Sequence, residues 1–117
     1  MMRHRLLLGL FAVTLSGCAS DPAPIEQMRL TEQTLAQARA VGATPALEEM
    51  RQAEAKFARA QKNMGEADYK RARQFAEQAE LDARLAEAKV LTTKSEQELK
   101  QINMRIKRVR QQLGTLP

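Results

Sequence analysis

Between Asp68 and Leu113 the chain runs 46 residues without a glycine or a proline. As one helix this stretch is roughly 70 Å long. Two apolar patterns wind along it. Tyr69, Ala72, Ala76, Ala79, Ala83, Ala86 and Val90 recur every three or four residues, a small-residue stripe suited to close packing against other helices. Leu81, Leu85, Ala88, Leu99, Ile102, Ile106, Val109 and Leu113 form a second, bulkier stripe, with Thr92 and Ser95 in its middle slots. Leu91-Thr92-Thr93-Lys94-Ser95 has weaker helix propensity than its flanks, and Thr93…Glu96 and Ser95…Glu98 have the spacing of a capping box that could open a fourth helix. The absence of glycine and proline, and the unbroken register of the second stripe, favour one continuous helix closed by Gly114.

Two shorter helices precede it. The first is predicted from about Pro24 to Val41, with Ile25, Met28, Leu35 and Ala38 inward, Leu30 and Val41 at the edges, and Thr31 and Glu32 interrupting the face. Gly42 is a natural closing residue, able to take the left-handed conformation. Thr44 then fits as N-cap, with Pro45 in the first turn and Glu48 and Glu49 where the helix dipole favours acids. From there to Met64, the residues Ala46, Met50, Ala53, Phe57, Ala60 and Met64 repeat as a 4-3-4-3-4 seam. Gly65 ends this helix, and Glu66-Ala67-Asp68 makes a turn short enough to force the flanking helices antiparallel, with Asp68 as the next N-cap. Phe57 and Met64 are expected to meet Tyr69 and Ala72 at this closed end, with Phe75 further along.

The fold class is therefore all-α: an antiparallel helical hairpin or three-helix bundle whose long C-terminal helix extends as a coiled-coil candidate. The bundle is assigned to residues 24–91 and the basic amphipathic extension to 92–117. Aromatic residues make up only 3% of the chain and alanine supplies much of its apolar content, so the core is thin and leans on helix propensity.

The N-terminal residues follow a different logic. Arg3 and Arg5 precede an apolar run from Leu6 to Leu15, too short to span a bilayer and arranged as a secretory signal. It ends in Leu15-Ser16-Gly17-Cys18, which resembles the bacterial lipobox, in which cleavage falls between Gly17 and Cys18 and the Cys18 thiol is lipidated. Residues 1–17 then form a lipoprotein signal peptide and residues 18–23 a lipidated cysteine and tether, kept extended by Pro22 and Pro24. Cys18 is the only cysteine and His4, lost with the signal, the only histidine. Lipoprotein sorting resembles a rule in which aspartate directly after the cysteine retains the protein at the inner membrane. Ala19 holds that place here, which favours the periplasmic face of the outer membrane, although Asp21 lies close behind.

Ala53-x3-Phe57-x2-Ala60, followed by Gly65-Glu66-Ala67-Asp68-Tyr69-x2-Ala72, resembles a tetratricopeptide hairpin, but a single unit without a 34-residue period makes no array. The mature chain as a whole is similar to a family of uncharacterised, alanine-rich periplasmic lipoproteins that share a domain of unknown function. The similarity rests on the lipobox, the Tyr69-x-x-Ala72 start of the last helix and alanine at three- and four-residue spacing, over roughly residues 25 to 90. That domain is often encoded beside, or fused to, OmpA-like peptidoglycan-binding domains, so the resemblance implies an envelope role. It implies no catalytic residue.

The residue inventory argues against an enzyme. After cleavage the chain has no histidine, no free thiol, no tryptophan and no glycine-rich phosphate loop. Its acids fall at surface helix positions, where Glu66–Lys70, Glu80–Arg84 and Glu96–Lys100 make ordinary i,i+4 pairs. No cofactor beyond the lipid on Cys18 and no metal cluster is expected. Charge is distributed unevenly. All 14 acids precede Leu99, whereas Lys100, Arg105, Lys107, Arg108 and Arg110 follow it with no acid among them. Part of this suits a helix C-terminus. The remainder suits an anionic partner such as peptidoglycan, lipopolysaccharide phosphates or an acidic protein face. Nucleic acid fits the charge alone, but no aromatic stacking platform accompanies it. Braun-type attachment through a C-terminal lysine is disfavoured, because the chain ends Leu116-Pro117. The expectation is an outer-membrane lipoprotein serving as a structural interaction module, with an envelope protein or a second copy on Leu99, Ile102, Ile106, Val109 and Leu113. The alternative is a binding module for peptidoglycan or lipopolysaccharide through the five bases.

Overall fold

The computed structural model describes residues 21–115, which form three helices. They are α1 (Ile25–Ala40), α2 (Glu48–Gly65) and α3 (Tyr69–Gly114). α1 runs alongside the first part of α3 in the same direction, α2 returns antiparallel between them in sequence, and α3 continues alone. The expected all-α hairpin with a long last helix is the observed one, and α3 passes Thr93 without a break over its 46 residues.

Local chemistry accounts for each boundary. α1 closes where Gly42 takes φ +105°. There the Gly42 and Ala43 N–H groups donate to the carbonyls of Arg39 and Ala38, the paired bonds of a Schellman turn. α2 ends in the same way, but Gly65 stays helical and Ala67 takes the left-handed conformation at φ 57°. Ala67 N–H donates to Met64 and Asp68 N–H to Asn63. A Cβ in that region costs roughly 1–2 kcal/mol. Ala67→Gly is accordingly expected to raise stability by about 1 kcal/mol, read as a higher urea midpoint with an unchanged slope. An unchanged or lower midpoint would show that the turn carries no such strain. Asp68 caps α3 as expected, its carboxylate accepting from the Arg71 N–H at 3.2 Å.

Two expectations for the shorter helices are corrected. α2 starts at Glu48 with Leu47 as N-cap, so Thr44 caps nothing and Ala46 stands exposed, outside the seam. The intervening residues turn instead, with Leu47 N–H donating to the Thr44 carbonyl at 2.9 Å. This turn buries Ala43 and lays Leu47 against the core. Thr31, read as an interruption of α1, lies at its buried centre with 0% exposure, while Ile25 is 64% exposed. The Thr31 hydroxyl satisfies itself locally, within 2.8 Å of its own helix's Gln27 carbonyl and 3.0 Å of the Ala76 carbonyl on α3. A hydroxyl so placed costs little to bury and lets two helices approach closely.

The core consists of small residues. Ala72, Ala76, Ala79, Ala83 and Ala86 are fully buried along one face of α3, against Leu35 and Ala38 of α1 and Met50, Ala53 and Ala60 of α2. Lys56–Asp82 and Glu49–Lys89 ion pairs set the register of α2 on α3. That register places Phe57 level with Ala79 to Ala83, about three turns from Tyr69, so Phe57 does not meet Tyr69 and Ala72 at the closed end. Phe57 is half-buried and packs against the Leu35 cluster instead. Nearer the turn, the Arg59 guanidinium sits 5.6 Å above the Phe75 ring.

Candidate functional site

Glu48 to Gly65 and Ile25 to Ala40 are each about half the length of α3 or less, so they cover it only to the level of the loop that joins them. That level is marked by contacts. The Lys94 ammonium donates to the Val41 carbonyl at 2.6 Å, and Gly42 faces Val90 and Lys94. Leu47, Lys89, Val90, Thr93, Lys94 and Gln97 line a shallow notch of about 290 Å³ there. The Lys89 hydrogen bond, helped by its own backbone N–H, holds the Glu49 carboxyl below the usual carboxylate range. From Leu91 to Thr115 every residue is exposed, a free arm of α3.

The five apolar residues singled out by sequence all lie on this arm. Leu99, Ile102, Ile106, Val109 and Leu113 are between 42% and 62% exposed. The stripe they belong to starts earlier than the arm, and length mismatch alone does not explain its exposure. Leu81 is 66% exposed and Leu85 48% exposed, although α1 and α2 flank α3 at that level. At 100° per residue, the bulky stripe is centred roughly 160° around the helix from the buried alanines. α1 and α2 have taken the alanine face, and the bulky face points away from the bundle along its whole length. The candidate surface therefore includes Leu81, Leu85 and Ala88 as well as the tail. Its 4-3-4-3 spacing from Leu81 to Leu113 was the signal for that extent.

The bases are less concentrated than the apolar residues. Arg110 borders one side of the stripe and Arg105 the other, while Lys100 and Lys107 lie further round on the Arg110 side and Arg108 further round on the Arg105 side. No ion pair involves these five side chains among the described residues. Of the i,i+4 pairs expected from sequence, Glu80–Arg84 forms, whereas Glu66 lies 3.9 Å from Lys62 instead of pairing with Lys70. Glu96 and Lys100 make no ion pair.

Gly17 and Cys18 lie outside the described residues. The described chain begins at Asp21, which lines a shallow pocket with Ala67, Asp68, Tyr69 and Lys70 beside the α2–α3 turn. The N-terminal end and the tip of the free arm are thus at opposite ends of α3, roughly 70 Å apart. Among the described residues no group of three or more His, Cys, Asp or Glu side chains could hold a metal ion, and no helix is long and apolar enough to cross a membrane.

Residues 26–102 match a family described as a domain of unknown function, DUF4398. The chain is also similar to a crystal structure of a DUF4398 family protein from Pseudomonas aeruginosa PAO1. The two share 59% sequence identity and superpose with a TM-score of 0.79, over 80% of this chain and 97% of that one. Comparison with functionally curated proteins returned no match.

Proposed function

The chain belongs to the DUF4398 family, and from its N-terminal sequence and the exposed face of α3 we propose that it is a lipid-anchored, non-catalytic interaction module of the bacterial envelope, held at the periplasmic face of the outer membrane. The observation that carries the interaction reading is the bare apolar face of α3 from Leu81 to Leu113. Monomeric soluble proteins rarely expose a contiguous apolar surface of such extent without a partner for it. The anchoring reading is supported by Leu15-Ser16-Gly17-Cys18 behind a basic and apolar leader. Acyl chains contribute about 0.8 kcal/mol per buried CH₂, so a multiply acylated Cys18 stays in the membrane. The two features work together: the tether holds one end of α3, and the arm reaches away from it.

Cys18→Ser tests the anchor. The variant is expected to lose all fatty-acid labelling and to leave the membrane fraction, appearing as soluble or unprocessed protein. Labelling equal to that of the natural sequence would reject Cys18 as the attachment site and the outer-membrane placement with it. Crosslinking in the intact envelope tests the interaction, with a protein neighbour expected on the Leu99–Leu113 stripe.

The five exposed bases of the arm favour one alternative, a binding module for peptidoglycan or lipopolysaccharide. In that case the chain from residue 19 co-sediments with purified peptidoglycan, and binding weakens steeply as salt screens the charges. Retention that is absent, or indifferent to salt, removes the polymer reading.

A further inference from the structure

The bulky face of α3 has the order of a coiled-coil seam. From Leu81 to Leu113 its positions alternate by four and three residues without a fault, the spacing that keeps one face of a helix on a partner helix. We propose that the occupant of this seam is the same seam of a second copy, paired antiparallel so that Leu113 of each copy packs on Leu81 of the other. This rests on the interaction reading above and names its partner.

Three observations select this arrangement. The first is size. The stripe is bulky at its C-terminal half and small in its middle, and the antiparallel register sets Ala88, Thr92 and Ser95 against Ile106, Ile102 and Leu99. Large faces small in each of these layers, whereas parallel pairing would stack small on small and leave gaps. The second is charge. Parallel pairing brings the five bases of one arm alongside the same five of the other, with Arg105 beside Arg110 across the seam's flank. Antiparallel pairing lays the arm along residues 80–98, which carry five acids and three bases. Arg110 then flanks Asp82, and Arg105 flanks Leu91 instead of a second arginine. Against this, Glu96 and Glu98 approach their counterparts at the two-fold axis, and this local repulsion holds the affinity down.

The third observation is space. Each copy carries α1 and α2 on its alanine face, roughly 160° from the seam, so neither bundle obstructs the other helix. The seam is about 48 Å long, and a contact band about 10 Å wide gives roughly 500 Å² per copy. That is near the lower bound of about 1,000 Å² in total for a specific interface. A dimer with a dissociation constant in the micromolar range is expected.

The test uses residues 19–117, which contain all three helices and no cysteine. Sedimentation equilibrium is expected to show a monomer–dimer equilibrium. Ile102→Asp combined with Ile106→Asp is expected to weaken it by about a hundredfold or more, and leave the melting curve of the monomer in place. Orientation is read with Leu81→Cys and Leu113→Cys and a short bis-maleimide. Each variant alone is expected to stay uncrosslinked, and an equal mixture to give a covalent dimer. Crosslinking of Leu113→Cys to itself would overturn the antiparallel arrangement. A chain that remains monomeric at about 0.5 mM would overturn the seam as a self-pairing surface. Cys18 has no part in either readout, so such a result leaves the membrane anchor to its own experiment.

Discussion

Leu35→Ala is expected to lower the stability of the folded chain by about 2–5 kcal/mol, in the upper half of that range. Leu35 is 1% exposed and is the largest side chain in a cluster otherwise made of Ala38, Ala43, Met50, Ala53, Ala83 and Ala86. The cost of such a truncation depends on how far neighbours collapse into the space left behind. Alanines have no rotamers with which to do so, and Met50 is the only long neighbour among the buried residues of that cluster. A domain of this size holds only about 5–15 kcal/mol in total, so one leucine carries a large share of the fold. In thermal melts followed by circular dichroism, the midpoint is expected to fall by at least about 10 °C, at roughly 4–8 °C per kcal/mol. Two companions calibrate the result. Phe57→Ala costs less, because Phe57 is only half-buried, and Leu99→Ala in the monomer costs almost nothing, because Leu99 is 61% exposed. A drop for Leu99→Ala as large as for Leu35→Ala would remove Leu35 from the centre of the core.

Ala83→Leu is the converse experiment, with an expected loss of about 1–3 kcal/mol or more. Ala83 has no exposed surface. Its methyl group sets how closely α1 and α2 approach α3, and the Lys56–Asp82 and Glu49–Lys89 pairs on either side hold that spacing. Three added carbons have nowhere to go without parting the helices along the whole alanine stripe, so the damage spreads beyond one site. The same substitution at Ala88 provides the control. Ala88 is exposed on the opposite face of the same helix, and alanine and leucine differ little in helix propensity. Urea unfolding of the two monomeric variants is expected to separate them clearly. Equal midpoints for Ala83→Leu and Ala88→Leu would mean that the alanine stripe is not the packing face.

Much of this organisation is legible in sequence because it is local. Asp68 as N-cap, Gly42 as the closing residue of α1 and the unbroken run to Gly114 depend on chemistry within a few residues of each boundary. Thr31 shows where such reading stops. A threonine in an apolar stripe scores as an interruption until a carbonyl on another helix and one on its own are brought within hydrogen-bond distance of it. The start of α2 shows the same limit. Thr44-Pro45 is a sound N-terminal signal, but burying Ala43 and laying Leu47 on the core requires a turn there, and packing prevails over a cap worth about 1 kcal/mol.

For the candidate surface, sequence by itself determined that α3 carries two apolar stripes, that one is small and one bulky, and that five bases and no acid follow Leu99. Helical periodicity is a property of one chain segment and needs no partner to be read. Only the tertiary structure decided which stripe the other helices would occupy. Leucine and isoleucine offer more area to bury, yet α1 and α2 lie on the alanines. Their own inner faces, Thr31, Ala38, Ala53 and Ala60 with Leu35 and Met50 among them, are mostly small as well, and small faces let helices pack closely. That choice depends on three surfaces fitting at once, and it is what leaves Leu81 to Leu113 facing outward.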